Sequence, residues 1–277
     1  MPLGPIRGSF VSTTFALLLG FAAPVSAGAI YDKQWDPSLY GGLDQHSTHC
    51  PDLACGPSAA VNSFVFLQNM YPGIYGNSLA GDNYETWVDT ANTLLDPRYM
   101  DCDCNGSGTT IDNFISGKQD YLNDTAPGAT MVHFQNAFDA TNPTTPNWQF
   151  LFDELMKGQD IEILVGFYDD TGRNGGHYLT VSGFYFSDTS GDGQIQADDE
   201  TATLFYTDPN DGQPHSSTLD MKNGFLDLVG YRDKFDTYID AAVAESPVPV
   251  PEPLTLSLFV VGLVGTAALR SRHKKAA

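Results

Sequence analysis

Basic side chains are scarce in this chain of 277 residues, which has 13 Lys and Arg against 34 Asp and Glu and a formal net charge of −21 at pH 7. Binding to nucleic acid requires basic side chains that neutralise phosphates, so this composition excludes nucleic acid as a partner. A strongly acidic surface instead suits a protein that binds divalent cations or must stay soluble. Because 42% of the residues are hydrophobic, the chain is a folded acidic domain and not a disordered acidic tail.

Apart from its two ends, the chain lacks apolar stretches long enough to cross a membrane. The first end has an apolar run, Phe10 to Ala23, between Arg7 and the small-x-small pattern Val25-Ser26-Ala27. This order is typical of a secretory signal peptide. We therefore predict that a signal peptidase removes residues 1–27 and that the mature chain begins at Gly28.

The second apolar run, Leu254 to Leu269, has 16 residues and is followed by a basic tail. The tail residues are Arg270, Arg272, His273, Lys274 and Lys275. A helix crosses a bilayer comfortably with roughly 20 residues, but the basic flank favours a membrane-spanning helix with a tail over residues 254–277. A buried core helix that ends in a basic tail is the alternative.

Pro251-Glu252-Pro253 directly precedes this run and follows a Pro/Val linker, so that residues 246–253 form a linker with a PEP motif. The order of Pro-Glu-Pro, apolar helix and basic tail resembles the PEP-CTERM sorting signal of Gram-negative bacteria. The resemblance implies recognition by an exosortase, transient residence in the inner membrane through residues 254–269, and delivery to the cell surface or extracellular matrix. Anchoring in the inner membrane, with the domain in the periplasm, is the alternative.

The remaining residues, 28–245, are long enough for one sizeable core and short for two. Without the two ends they carry 8 basic and 33 acidic residues, a net charge of −25. Apolar periodicity and caps predict helices at 55–70, 84–95, 109–122 and 148–157, and strands at 129–134, 161–168, 178–186, 202–207 and 216–221. Helices come first and strands second, which predicts an α+β fold with an antiparallel sheet.

Only four cysteines are present: Cys50, Cys55, Cys102 and Cys104. In an exported chain these residues are candidates for disulfides, and an even number permits two bridges. If Cys55 is free, one of the other three is left over. The sequence leaves both arrangements open.

Cys55 begins the stretch Cys-Gly-Pro-Ser-Ala-Ala, which is typical of the first turn of a buried helix. Pro57 suits this turn because its missing N–H has no partner there. A thiol in this position lies at the positive end of the helix dipole, which favours the thiolate. A buried or disulfide-bonded cysteine is the alternative.

Cysteine catalysis requires a base within hydrogen-bond reach of the thiol and a third group that orients the base. His177 opens a strand directly after Gly175-Gly176, where its side chain can project into a cleft. Asp208 ends the strand at 202–207 and precedes Pro209. If the two strands are antiparallel neighbours, Asp208 holds the His177 tautomer and stabilises imidazolium. A structural histidine and an ordinary Asp-Pro turn are the alternatives.

The order of Cys-Gly-Pro-Ser-Ala-Ala, Gly-His-Tyr-Leu-Thr-Val-Ser-Gly and Thr-Asp-Pro-Asn resembles the papain-like cysteine peptidases, nearest to the bacteriocin-processing (double-glycine) branch. The resemblance implies a papain-like fold, with an N-terminal helical lobe carrying Cys55 and a C-terminal antiparallel sheet lobe carrying His177 and Asp208. It implies a peptide or protein substrate, with Cys55 as nucleophile, His177 as base and Asp208 as orienting group. Such enzymes have an oxyanion-hole Gln shortly before the Cys. Here the candidate is Gln45, which reaches the site if residues 50–52 form a bulge.

Residues 188–199 fit a calcium loop of the EF-hand type, with Gly193 at the sharp turn. The oxygen ligands are predicted to come from Asp188, Ser190, Asp192, the carbonyl of Gln194 and Asp199. Bound Ca²⁺ would stabilise the connection between the strands of His177 and Asp208. An acidic hairpin loop without an ion is the alternative.

These patterns predict an exported cysteine peptidase-like domain that acts through a Cys55 thioester. A catalytically inactive, calcium-stabilised surface or matrix protein that binds a peptide is the rival reading. A disulfide-stapled structural protein without a reactive thiol is a third.

Overall fold

The computed structural model describes residues 28–196 and 201–247. Five helices lie within these ranges: α1 (Cys55–Met70), α2 (Pro72–Tyr75), α3 (Tyr84–Leu94), α4 (Ile111–Thr125) and α5 (Trp148–Met156). Eight strands lie there too: β1 (Ala29–Gln34), β2 (Thr130–Asn136), β3 (Asp160–Asp169), β4 (Gly172–Asp188), β5 (Thr201–Asp208), β6 (Gln213–Lys222), β7 (Phe225–Val229) and β8 (Asp236–Pro247).

The eight strands form one antiparallel sheet in the order β1-β4-β3-β8-β7-β6-β5, with β2 paired to β8. An additional pairing joins β5 to β4, so that the six strands β4, β3, β8, β7, β6 and β5 close into a ring. β4 is long enough, at 17 residues, to pair with β1, β3 and β5. The sheet is therefore the framework on which the helices pack.

The predicted fold class, α+β with a helical lobe followed by a sheet lobe, is wrong. The described residues are dominated by the antiparallel sheet, and its strands come from both halves of the chain. β1 precedes every helix and pairs with β4, and β2 lies between α4 and α5 and pairs with β8. The two-lobe expectation failed because β1 and β2 place strands of the same sheet among the helices, and β1, a short strand with alternating half-buried and exposed side chains, was not predicted.

Alternation along β3 divides the interior into two cores. Ile161, Ile163 and Val165 pack in the core beneath α5, together with the inner residues of the ring. Leu164 points the other way, into the core that α1 and α4 share with the sheet. Because successive side chains of a strand alternate between faces, each face of β3 meets a different set of helices.

The helix α1 is buried between the sheet and the other helices. Thirteen of its 16 residues are buried, as expected for a helix that is apolar or small on every side. Its N-cap, Ala54, makes no side-chain capping bond, so no cap side chain covers the N–H groups of the first turn, where Cys55 lies. Thr180 of β4 donates to the carbonyl of Ala59, which fixes the helix against the strand of His177.

No helix within residues 28–196 and 201–247 is long and apolar enough to cross a membrane. The predicted signal peptide at 1–27, the PEP motif and the predicted spanning segment at 254–269 lie outside the described residues. The predicted linker begins within the sheet, because β8 continues to Pro247.

Candidate active site

Cys55 is the first residue of α1, and its thiol is free and half-buried. Burial acts to raise the pKa of the thiol, but the neighbouring His177 outweighs it and lowers the pKa below its ordinary value. The backbone N–H groups of Tyr178 and Gly56 act in the same direction. The surroundings of Cys55 therefore favour the thiolate, which is the nucleophilic form of cysteine.

His177 lies on β4 and is only 6% exposed. Its Nε2 is 2.7 Å from Oδ1 of Asp208, which leaves Nδ1 as the ring nitrogen available to the Cys55 thiol. Burial acts to lower the pKa of the imidazole, but the Cys55 thiolate and the Asp208 carboxylate raise it to about 9. The pKa of the thiol is lowered and that of the imidazole is raised, so both shifts favour a thiolate–imidazolium pair.

Asp208 ends β5, which pairs antiparallel with β4 and so brings the two strand ends together. Its Oδ1 also accepts from the backbone N–H of Asn210 at 2.8 Å, and its Oδ2 accepts from the Tyr231 hydroxyl at 2.8 Å. Burial acts to raise the pKa of the carboxyl, but these bonds and His177 lower it to about 2. Asp208 is thus a fixed anion behind the imidazole.

Tyr231 is a residue of the site that the sequence did not reveal. It lies in the turn after β7, and its ring stacks on the His177 imidazole with the ring centres 6.3 Å apart. Burial and the Asp208 carboxylate raise the pKa of its hydroxyl, so it stays a proton donor to Asp208. Tyr231 lies in no recognisable sequence motif, and it reaches His177 and Asp208 only because the sheet closes into a ring.

Gln45 is buried beside the site, but it is not among the residues that line the cleft. Its backbone N–H donates to the carbonyl of Pro209 at 2.7 Å, and Nε2 donates to the carbonyl of Pro51 at 3.0 Å. One amide hydrogen of Nε2 is used in this way, and the side-chain oxygen has no hydrogen-bond partner among residues 28–196 and 201–247. Gln45 therefore joins the turn after Asp208 to the segment before Cys55.

A cleft of about 650 Å³ opens beside Cys55 and His177. The loop 106–111 forms one wall and the start of β4, with Gly175 and Gly176, forms another. Leu164 and Tyr178 provide apolar surface, and Phe138 adds an aromatic ring that is 53% exposed. The cleft therefore combines apolar walls with the polar side chains of Cys55 and His177.

The other three cysteines cluster next to the same cleft. Cys50 and Cys104 form a disulfide, and Cys102 is a free thiol. Its Sγ is 3.8 Å from the Sγ of Cys50 and 3.4 Å from the carbonyl oxygen of Leu53. Of the two arrangements that the sequence left open, the structure has the one with Cys55 free and one further cysteine unpaired.

The predicted calcium loop is described in part, because Asp199 lies outside the described residues. Asp188 is buried, and its two oxygens accept from the backbone N–H groups of Gly191 and Gly193 at 2.6 Å and 3.0 Å. Asp192 accepts from the backbone N–H of Gln194 at 2.8 Å. Ser190 lies between them and donates to Asp188 at 3.3 Å. The described ligands therefore lie in one tight turn.

A different group of carboxylates, Asp160, Glu162 and Glu245, could hold a metal ion. Their oxygens lie within 4.8 Å of one another, and all three side chains are fully buried. The ammonium group of Lys118, on α4, lies among them, 2.5 Å from Glu162 and 3.5 Å from Asp160 and in contact with Glu245. Lys118 thus supplies the cationic charge at this place.

A scan against models of protein families gives no match, and a search of curated proteins gives none either. What the site can do therefore follows from its own geometry. A thiolate next to an imidazolium that a carboxylate orients can attack a carbonyl carbon and then protonate the leaving group.

Proposed function

We propose that this chain is an exported cysteine peptidase that cleaves peptide bonds through Cys55, His177 and Asp208. The observation that carries the proposal is the 2.7 Å hydrogen bond between His177 and Asp208, with the pKa of the Cys55 thiol lowered by the same imidazole. The resemblance of these three segments to the papain-like cysteine peptidases supports the same reading. It extends to the order of the catalytic residues and not to a two-lobe fold.

In the proposed reaction the Cys55 thiolate attacks the peptide carbonyl. The His177 imidazolium gives its proton to the leaving amine, which departs and leaves a Cys55 thioester. Neutral His177 then takes a proton from water, and the resulting hydroxide releases the acid product. Asp208 keeps its charge throughout and stabilises the imidazolium.

The negative oxygen formed by the attack needs hydrogen-bond donors. The backbone N–H of Cys55 is at the start of α1, where the first N–H groups have no partner within the helix. Gln45 is the second candidate, since the amide hydrogen that does not go to Pro51 is available. Loss of one such donor typically lowers the rate about 100- to 1000-fold.

The rival function, binding of a peptide without cleavage, is favoured by one observation. Gln45 is bonded to Pro51 and does not line the cleft. A site of this kind would hold a peptide beside a reactive thiol with a weak oxyanion hole. The two functions differ in one result, since only the peptidase releases new termini from a peptide library that contains apolar side chains.

The reactivity of Cys55 tests the proposal directly. Iodoacetamide at about pH 6.5 is expected to alkylate Cys55 quickly, and His177→Ala to slow the alkylation by roughly 10- to 100-fold, because an unpaired thiol has a pKa near 8.5. Mass spectrometry of the peptide that contains Cys55 measures the rate.

The matched control is His215→Ala. His215 also pairs with an aspartate, Asp211 at 3.0 Å, but this pair is exposed and outside the cleft. We expect wild-type alkylation of Cys55 in this variant. Equal rates in the two histidine variants would show that His177 does not activate the thiol.

We also propose that the loop at 188–199 binds Ca²⁺ and so stabilises the connection between β4 and β5. The acidic surface and the buried carboxylate of Asp188 support this, together with Asp192 four residues later. Asp188 now accepts hydrogen bonds from two backbone N–H groups, and a calcium ion would be a stronger, cationic partner for its carboxylate.

Excess CaCl₂ is expected to raise the melting temperature by several degrees, since a ligand at 100 times its Kd adds about 2.7 kcal/mol. Asp192→Ala should abolish the increase, and Asp220→Ala, an aspartate on β6 outside the loop, should retain it. If calcium does not change the melting temperature of the wild type, the proposed calcium site is refuted.

The two predicted end segments also support a proposal about where the protein is located. A signal peptide at 1–27 and a PEP-CTERM signal at 251–277 would send the domain through the inner membrane to the cell surface or matrix. The net charge of −25 for residues 28–245 suits a protein that stays soluble there. The disulfide between Cys50 and Cys104 is consistent with an oxidising compartment.

A further inference from the structure

Three cysteines lie close together where the wall of the cleft begins. The sulfur atoms of Cys50, Cys102 and Cys104 are all within 4.8 Å of one another. The free thiol of Cys102 is 3.8 Å from Sγ of Cys50, one of the two sulfurs of the disulfide. A thiol in contact with a disulfide sulfur is the starting arrangement for thiol–disulfide exchange.

We propose that Cys50 pairs with either Cys104 or Cys102, and that exchange between the two disulfides controls access to Cys55. The control of access rests on the proposed function of Cys55, whereas the exchange itself does not.

The exchange balances without any further reactant. Cys102 loses its thiol proton to solvent, and its thiolate sulfur bonds to Sγ of Cys50. The bond between Cys50 and Cys104 breaks, and its electron pair leaves on Sγ of Cys104, which takes a proton from solvent. Because one disulfide replaces another, no electrons enter or leave the protein.

The two pairings hold the cleft wall differently. In the structure the disulfide fixes Cys104 at the start of a turn, in which Asp103 and Gly108 exchange two backbone hydrogen bonds of 3.1 Å. The segment that follows, 106–111, lines the cleft. Pairing with Cys102 moves the covalent tie two residues away from this segment. The turn is then held by hydrogen bonds without a disulfide at Cys104, and the wall beside Cys55 opens more easily.

Burial of the Cys102 side chain sets the rate of exchange. Its thiol lies near the carbonyl of Leu53 and is half-buried, and burial raises its pKa. Little thiolate is present at neutral pH, so exchange is slow there and becomes faster as the pH rises. The Asp101 and Asp103 carboxylates next to Cys102 and the nearby Cys55 thiolate act in the same direction.

Disulfide mapping of the wild-type protein tests the exchange. A protease that cleaves before aspartate separates Cys102 from Cys104, because Asp103 lies between them, and leaves Cys50 and Cys55 in different peptides. Free thiols are first trapped with N-ethylmaleimide in acid, which stops exchange. Both the Cys50–Cys104 and the Cys50–Cys102 linkage are expected, with the second reaching its equilibrium share faster at about pH 8.5 than at about pH 6.5.

Two variants fix one pairing each and test the control of access. Cys102→Ser retains only Cys50–Cys104, and Cys104→Ser retains only Cys50–Cys102. We expect Cys55 in the Cys104→Ser protein to react with iodoacetamide about fivefold faster than in the Cys102→Ser protein, the factor for about 1 kcal/mol of lost loop stability.

Disulfide mapping tests the exchange, and labelling of Cys55 tests the control of access, so each part of the proposal can be refuted without the other. If only Cys50–Cys104 is found at either pH, the exchange is refuted, and this result needs no variant to fold. If both linkages are found but Cys55 reacts equally in the two variants, the control of access is refuted. If no peptide is cleaved while both linkages are found, the proposed peptidase function is refuted and the exchange stands.

Discussion

Lys118→Met is expected to destabilise the fold by about 3–5 kcal/mol, because it removes the cation from among three buried carboxylates. Lys118, Asp160, Glu162 and Glu245 are all fully buried, and the rings of Phe64 and Phe114 flank the ammonium group. These three carboxylates would remain in the interior without a partner charge. Urea unfolding of the two proteins, followed by tryptophan fluorescence, measures the difference.

The loss should depend on pH in a definite direction. Burial raises the pKa of Glu162 to about 7, and it raises the pKa of Glu245 as well. A carboxyl group whose pKa is raised by folding contributes its full stability below its unfolded value and loses it as the pH rises through the folded value. The wild type should therefore lose stability between about pH 4.5 and 7, and the deficit of the Lys118→Met variant should shrink towards the acid end.

Lys157→Met is the matched control for the same change of side chain. Lys157 pairs with Glu154 at 2.8 Å, but its side chain is 57% exposed. An exposed ion pair contributes about 0–1 kcal/mol. If the two lysine variants differ by less than this, the buried cluster does not depend on the Lys118 charge. Should Lys118→Met not fold, Glu245→Gln keeps the question open to measurement, because a neutral amide in place of a protonated acid is expected to be tolerated.

Asp208→Asn is expected to lower kcat for peptide cleavage by on the order of 10⁴-fold, with little change in KM, the effect of losing the orienting carboxylate of a catalytic triad. The asparagine side chain keeps the size of Asp208 but removes its charge, and an amide NH₂ that faces Nε2 of His177 imposes the wrong tautomer on the imidazole. The pKa of His177, raised to about 9 in part by Asp208, should fall. Steady-state kinetics and the pH profile of Cys55 alkylation report both effects.

Asp211→Asn provides the comparison, because Asp211 also binds a histidine, His215, in the turn directly after Asp208. This pair is exposed, and we expect no change in kcat. Tyr231→Phe removes one of the hydrogen bonds to Asp208 and should have an intermediate effect of about 10- to 100-fold, since bonds to charged groups contribute roughly 1.5–3 kcal/mol. A loss in Asp211→Asn as large as in Asp208→Asn would contradict the assigned roles.

Four of the five helices of the described residues could be predicted from local patterns, because each of these four has its own start and stop signals; the short helix α2 was not predicted. α1 has the bounds that the sequence predicted, and α4 begins at Ile111, with Thr110 and not Thr109 as its cap. Asn83 and Asn147 cap α3 and α5 through their side chains. These signals act within four residues, so no tertiary contact is needed to read them.

The sheet could not be predicted in the same way. β1, β7 and β8 were missed, and β8 contains a run of small residues, Ala241-Ala242-Val243-Ala244, that has no alternation because both of its faces are buried. The buried position of Lys118 could not be predicted either, since nothing in the neighbouring sequence indicates that three carboxylates from distant segments will surround it. Cys55, His177 and Asp208 could be predicted because each is next to glycine or proline residues in a recognisable motif, whereas Tyr231 lies in no such motif.

The position of β8 has a consequence for how the protein is made. β8 holds residues 236–247, yet it pairs with β2, β3 and β7 in the interior of the sheet. The ring of strands cannot close until β8 has left the ribosome, because β8 fills the gap between β3 and β7 and is the last strand of the described residues. A chain that is still being synthesised therefore lacks the closed ring of strands against which the helices pack in the finished domain.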